Sequence, residues 1–196
     1  MLCAALLCLV VAPAFAAGGN TECTSQLASV TIQTNLHVPA GAVCQLNWVE
    51  VVGNVSVEGT LLSFSSMYDK NVNVSGAGSI SIINGYSDRP IKGNLTISGS
   101  GQSGIYPGNT GNVVLGNITV TGLNNGGTFY IGEATVNGAV TLYYNFGRLD
   151  LSYLTIGKTL DCANNNPAPT SWSLSNGPLQ STITAANGKT GQCAAL

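Results

Sequence analysis

Eight carboxylates are the obvious carriers of chemistry in this chain: Glu22, Glu50, Glu58, Asp69, Asp88, Glu133, Asp150 and Asp161. Cleaving a glycosidic bond by acid–base chemistry needs two of them facing each other across the scissile atom. The only histidine, His37, has no Ser or Cys nucleophile context and no second metal ligand beside it, so it reads as a surface residue. Arg148 and Asp150 stand two apart and suit a surface ion pair. Four Asn-x-Ser/Thr sequons, at Asn54, Asn73, Asn94 and Asn117, are candidate glycosylation sites in a eukaryotic secretory pathway. A late run of aromatics, Phe129, Tyr130, Tyr143, Tyr144, Phe146 and Tyr153, offers rings on which a sugar can stack.

Whether any of these groups meet depends on the elements that carry them, and those are announced by a repeat. Gly53-Asn54-Val55-Ser56-Val57-Glu58-Gly59 returns as 70–76, as Gly93-Asn94-Leu95-Thr96-Ile97-Ser98-Gly99 and as 116–122. An earlier copy begins at Asn35 and a worn one at Gly138. Asparagines 35, 54, 71, 94 and 117 are spaced by 19, 17, 23 and 23 residues. A unit of about twenty residues that alternates apolar and polar between glycine corners is the mark of a solenoid, in which each turn buries its apolar side on its neighbours. Strands of three to five residues give about three short sides per turn.

Alternation then assigns the faces. Val55/Val57, Val72/Val74, Leu95/Ile97, Ile118/Val120 and Val140/Leu142 are expected to stack inward. Ser56/Glu58, Asn73/Ser75, Thr96/Ser98 and Thr119/Thr121 are expected to form an outward polar stripe. The asparagines that open each copy share one corner, where their amides can form a ladder. Asn73 lies at a different phase, on the outward stripe, and is the most accessible of the four sequon residues. Tyr143 and Tyr153 fall on outward phases of the last two turns and are candidates either for a small glycan platform or for filling a shallower groove where the stack tapers, while Phe129 and Phe146 are assigned to the core. Glu58 and Asp150 fall several turns apart, on the order of 15–20 Å at ordinary strand spacing. Thr119 and Thr121 make the one complete Thr-x-Thr pair, too few for an ice-binding face.

Composition bounds the rest. Charged residues are 7% of the chain, and the net charge is −2. That leaves no basic face for nucleic acid or anionic lipid. Residues 1–16 form a short apolar run ending Ala14-Phe15-Ala16, read as a signal peptide, although no Lys or Arg precedes it. A run that short is too brief to span a membrane comfortably, so no stable membrane insertion is expected. Four cysteines follow: Cys23, Cys44, Cys162 and Cys193. They allow three pairings. A stack holds its two ends far apart, which favours Cys23–Cys44 and Cys162–Cys193, each tying an end turn that lacks a neighbour. A zinc site is disfavoured by wide spacings and the lack of a nearby His. Cys193-Ala194-Ala195-Leu196 matches a prenylation box, but that chemistry is cytosolic and the chain reads as exported.

Turns of variable length with loops at their corners resemble the right-handed parallel β-helix of pectate lyases. That resemblance is architectural and covers roughly residues 30–161. Hydrolases of that architecture cluster Asp residues on adjacent turns, and its lyases use acidic calcium ligands with an Arg or Lys base. This stripe has Ser, Asn and Thr in those places. A second resemblance rests on Val38-Pro39-Ala40-Gly41-Ala42-Val43-Cys44 and on Cys162-Ala163-Asn164-Asn165-Asn166-Pro167-Ala168-Pro169-Thr170 through Gly191-Gln192-Cys193. These segments are similar to the PAGxxC opening and CxxNxPAPT…GQC ending of a group of secreted β-helical repeat proteins. The group's pattern implies the same fold and both disulfides, and no activity.

The expectation is therefore an all-β chain: a signal peptide (1–16), a leader or cap (17–33), a single right-handed parallel β-helix of about six rungs (34–161) and a C-terminal capping loop (162–196). Its expected function is that of a secreted, extracellular or cell-surface, non-enzymatic structural or surface protein, with cell-wall polysaccharide as the candidate ligand and without cofactor or metal. The rivals are a degenerate polysaccharide lyase or hydrolase and a secreted factor whose partner is a surface protein. The longest corners, 83–91 and 99–111, are where a partner would be met.

Overall fold

The computed structural model describes residues 19–83, 89–99, 102–106, 112–124, 126–171 and 181–196. The expected signal peptide at 1–16, Asp88, and most of the corners 83–91 and 99–111 lie outside the described residues.

The chain is an all-β parallel solenoid of about seven turns. One sheet runs its whole length through nine parallel strands: Asn20–Glu22, Asn35–Val38, Val55–Val57, Val72–Val74, Leu95–Ser98, Ile118–Thr121, Val140–Tyr143, Leu160–Ala163 and Lys189–Gly191. The second sheet is built from Gln26–Ala28, Val43–Asn47, Thr60–Phe64, Ser79–Ile83, Gln102–Tyr106, Thr128–Val136, Arg148–Ile156 and Thr170–Ser171. The third side starts as Thr31–Ile32, Glu50–Val51 and Met67–Tyr68. It continues through bridges from Tyr68 to Ile91 and from Ile91 to Val114, then through the C-terminal halves of the two nine-residue strands. The stack runs past both ends of the 34–161 repeat. Asn20–Glu22 pairs with Asn35–His37, and Lys189–Gly191 pairs with Leu160–Cys162, so the turns number about seven where about six were expected.

Register explains why the repeat folds this way. Asn35–Val38 through Leu160–Ala163 align residue on residue, so Leu36, Val55, Val72, Leu95, Ile118, Val140 and Leu160 form one buried column. Val38, Val57, Val74, Ile97, Val120, Leu142 and Cys162 form a second. The third side adds Ile32, Val51, Tyr68, Ile91, Val114, Val136 and Ile156. Each Leu or Ile truncated to Ala in such a column costs roughly 2–5 kcal/mol. The inward columns match the sequence reading throughout.

At Gly53, Gly93, Gly116 and Gly138 the turns stack so closely that a Cβ would collide with the backbone of the turn before, whereas the copy at 70–76 opens on Lys70. A Cβ on Gly116 would run into the Gly93 carbonyl and the Asn94 side chain. Buried hydroxyls take up polar atoms inside the solenoid: the fully buried Tyr68 hydroxyl donates to Ser63 Oγ at 2.6 Å, and the Ile80 N–H donates to Ser103 Oγ at 3.2 Å. Burial pushes the Tyr68 phenol far above its ordinary range.

Cys23–Cys44 ties the first turn and Cys162–Cys193 the last, each with Cα atoms 5.4 Å apart. Both pairings are those favoured by the geometry of a stack. Sequence separations of 21 and 31 make each bridge worth on the order of 3 kcal/mol in the chain-entropy account.

Candidate functional site

The two tyrosines singled out from sequence are not neighbours. Val140 and Leu142 point inward, which puts Thr141 and Tyr143 on the outer face of the first sheet. Tyr143 donates its hydroxyl to Asp161 Oδ2 on the next turn. That bond, ahead of desolvation and of the Asp161 charge itself, raises the phenol above its ordinary range. The Thr190 hydroxyl donates to Asp161 Oδ1 at 2.6 Å, and with Tyr143 it holds the carboxyl below the usual range. Tyr153 sits at the corner between the second sheet and the third side, with a left-handed backbone at φ 47°. The width of the second sheet separates it from Tyr143.

What joins Tyr143 is the corner that follows it. Tyr144 adopts φ 54° and is 59% exposed, with its N–H bonded to the Ala163 carbonyl. Its ring meets that of Tyr143 edge to face, centroids 6.4 Å apart at 83°. Asn145 is fully buried, and Phe146 is 57% exposed with its N–H on the Leu123 carbonyl. The expectation that Phe146 is core is thereby overturned, while Phe129 is buried as expected. The left-handed residue at Tyr144 resets the alternation, so Asn145 turns inward and Phe146 outward.

Asn145 fixes this corner. Its Oδ1 accepts from the Leu123 N–H at 3.0 Å, and its Nδ2 donates to the Val120 carbonyl at 3.0 Å and to Asn165 Oδ1 at 2.8 Å. Asn165 repeats the pattern one turn on, bonding the Leu142 carbonyl at 2.7 Å and Gln192 Oε1 at 3.0 Å. A buried amide ladder thus holds the backbone between two exposed rings, which restricts their motion before any ligand arrives. Sequence reasoning missed it. Asn145 and Asn165 each stand two residues past a strand of the first sheet, and that shared offset was the available signal.

Beside the aromatic corner runs the polar stripe. His37, Ser56, Asn73, Thr96, Thr119, Thr141 and Asp161 form one outward row in register. Ser98, Thr121 and Tyr143 form part of the next. Between His37 and Asp161 the first row carries hydroxyls and one amide without charge.

The corner ladder foreseen for the repeat asparagines is present. Asn54, Asn71, Asn94, Asn117 and Ala139 donate their backbone N–H to the side-chain oxygen of Asn35, Asn54, Asn71, Asn94 and Asn117 in turn, at 2.8–3.3 Å. Three sequon residues, Asn54, Asn94 and Asn117, are therefore engaged through Oδ1. Asn73 stands on the outward stripe, exposed.

The described carboxylates are largely spoken for one by one. Asp69 pairs with Lys92 at 2.7 Å, and Glu50 accepts from the Thr31 hydroxyl at 3.4 Å. The expected Arg148–Asp150 pair forms at 2.7 Å, although Asp150 is buried and also accepts from Thr170 at 2.8 Å. Glu58 stands just past the first-sheet strand Val55–Val57, and Asp150 lies on the second sheet. One convergence was not foreseen: His37 Nδ1 lies 2.8 Å from Glu22 Oε1, and its Nε2 lies 3.7 Å from Glu58 Oε1. Stacking of the first turns brings these three together, and the Glu22 hydrogen bond raises the imidazole pKa above its ordinary value. Both carboxylates are more than half exposed on an open face. Among the described residues no group of His, Cys, Asp and Glu side chains gathers closely enough to hold a metal ion.

No protein-family model, curated protein or solved structure matches the chain. Among the described residues no helix is long and apolar enough to cross a membrane, and the two disulfides are compatible with an extracellular protein.

Proposed function

We propose that this is a secreted, non-enzymatic surface protein that binds an insoluble cell-wall polysaccharide through the corner Tyr143–Tyr144–Phe146 and the adjoining hydroxyl stripe. The observation that supports the reading most is the pair of rings at Tyr144 and Phe146, both more than half exposed, set on a backbone pinned by buried Asn145. Exposed rings beside hydroxyls and amides match a sugar chain, whose ring faces are apolar and whose edges donate and accept hydrogen bonds. Tyr143, held by Asp161, forms the edge of the platform. A rigid platform also loses little entropy on binding.

A second reading, residual hydrolysis, is favoured by one observation only: Glu22 and Glu58 flank His37 on the first turns. Open exposure counts against it, since proton transfer gains its advantage in a water-excluded site. One assay separates the readings: incubation with a panel of insoluble polysaccharides, scoring retained protein and released soluble sugar in the same tubes. Retention without release supports binding. Release that disappears in Glu58→Gln would replace binding by hydrolysis. Neither retention nor release would leave a protein partner as the surviving account.

A further inference from the structure

We infer a second binding site, for a neutral pyranose unit, in the groove around Trp48 at the opposite end of the solenoid from the aromatic corner. The groove encloses about 340 Å³ and is lined by Ser29, Val30, Thr31, Trp48, Glu50 and Arg89. That volume is at the small end of the range for ligand clefts, roughly 300–1,000 Å³, and suits one or two sugar rings.

The backbone dictates that Trp48 faces outward. The strand Val43–Asn47 ends there, and the chain turns through a left-handed residue at φ 57°, its N–H bonded to the Phe64 carbonyl at 3.0 Å. Val49 then turns inward and is fully buried, its N–H on Ser66 Oγ at 3.1 Å. The equivalent left-handed residues on the turns before and after are Ser29, at φ 52°, and Ser65, at φ 47°. A large ring is thus stacked between two small side chains, and the space beside it becomes the groove. Trp48 is 45% exposed. A bulky indole at a left-handed corner is unfavourable for folding alone, since small or Gly-like residues suit that conformation better.

The lining chemistry selects the ligand class. Arg89 places its guanidinium 4.7 Å from the indole centroid, and Glu50 shares the groove with the Thr31 hydroxyl. Among the described lining residues, one cationic donor lies over the aromatic ring and one anionic acceptor shares the groove. An anionic ligand would confront Glu50 and a cationic one Arg89, whereas adjacent hydroxyls of a neutral sugar can accept from one and donate to the other. Arg89 lies over part of the indole, and the portion that remains exposed supplies the stacking surface. The site shares its ligand class with the proposed function but stands on separate residues, so either can fail alone.

The test uses the mature chain carrying Trp172→Phe, which leaves Trp48 as its only indole. Short neutral cello-, chito-, manno- and xylo-oligosaccharides are titrated while indole fluorescence is read. The expected result is a saturable change with at least one neutral series, weakened about tenfold or more by Glu50→Gln and unchanged by Tyr144→Ala with Phe146→Ala. In a Tyr144→Ala, Phe146→Ala background, which removes the aromatic corner, Trp48→Asn, a residue that tolerates the left-handed corner, should abolish binding measured calorimetrically while the melting temperature and the Cys23–Cys44 bridge persist. No saturable response to any neutral series would overturn the site. So would a response confined to oligogalacturonate, titrated alongside the neutral series, or calorimetric binding that survives Trp48→Asn in the background lacking the aromatic corner.

Discussion

At the scale of single residues, the two exposed rings and the buried amide between them divide the work of the aromatic corner. Phe146→Ala removes an exposed ring and should change stability by less than about 0.5 kcal/mol, whereas Phe129→Ala empties a buried site and should cost roughly 3–5 kcal/mol. Denaturant titration of the two variants checks the reassignment of Phe146 to the surface. Asn145→Ala should cost more than an ordinary surface change, on the order of 1–3 kcal/mol, because it leaves the Leu123 N–H and Val120 carbonyl buried without a partner. The same variant should weaken polysaccharide retention without touching either ring. His37 gives a pH-dependent signal of definite sign. Its folded pKa is raised above the ordinary 6.5, so the stabilisation it provides is fully present below that value and is lost as pH rises through the folded pKa. The melting-temperature difference between the parent and His37→Gln should therefore shrink from pH 6 toward pH 9. Asp161, held low by Thr190 and Tyr143, behaves oppositely: its contribution is present above about pH 3.8 and fades as pH falls through the folded value.

At the scale of elements, the ladder of repeat asparagines and the inward aliphatic columns were legible because one template carries both. Gly-Asn marks the corner, and strict alternation after it fixes which side chains face in. What escaped the sequence was the geometry of the other corners. Ser29, Trp48, Ser65, Glu133, Tyr144, Tyr153 and Asn164 all adopt positive φ, and six of the seven are residue types that do not advertise it. A left-handed residue shifts the phase of alternation. Plain alternation therefore places Phe146 in the core and Tyr153 beside Tyr143, and gives no sign that Trp48 faces outward. The Glu22–His37–Glu58 contact was hidden for a different reason, since it depends on the register between turns rather than on spacing along the chain. Asn94→Ala removes the acceptor for the Asn117 N–H and should destabilise by about 1 kcal/mol or more, while Asn73→Ala on the outward stripe should be close to neutral. Thermal melts of this pair separate ladder from stripe.

At the scale of the whole molecule, contacts run between neighbouring turns, so stability is close to a sum over interfaces and the ends are the weak points. Two disulfides sit at those ends, where an end turn has one neighbour instead of two. Reducing them should lower the melting temperature, and hydrogen exchange in the reduced protein should rise first at Asn20–Glu22 and Lys189–Gly191, the two terminal strands of the first sheet. The same one-dimensional build displays residues that are far apart in sequence as a continuous outer face, which suits an extended polymer better than a small substrate. A binding isotherm on the polysaccharide that retains the protein best, measured by depletion from solution for the parent and for Tyr144→Ala with Phe146→Ala, tests this account most directly. Binding should be saturable and weaken about tenfold or more in the double variant, with an unchanged melting temperature and no released sugar. Equal binding by the parent and the double variant would contradict it.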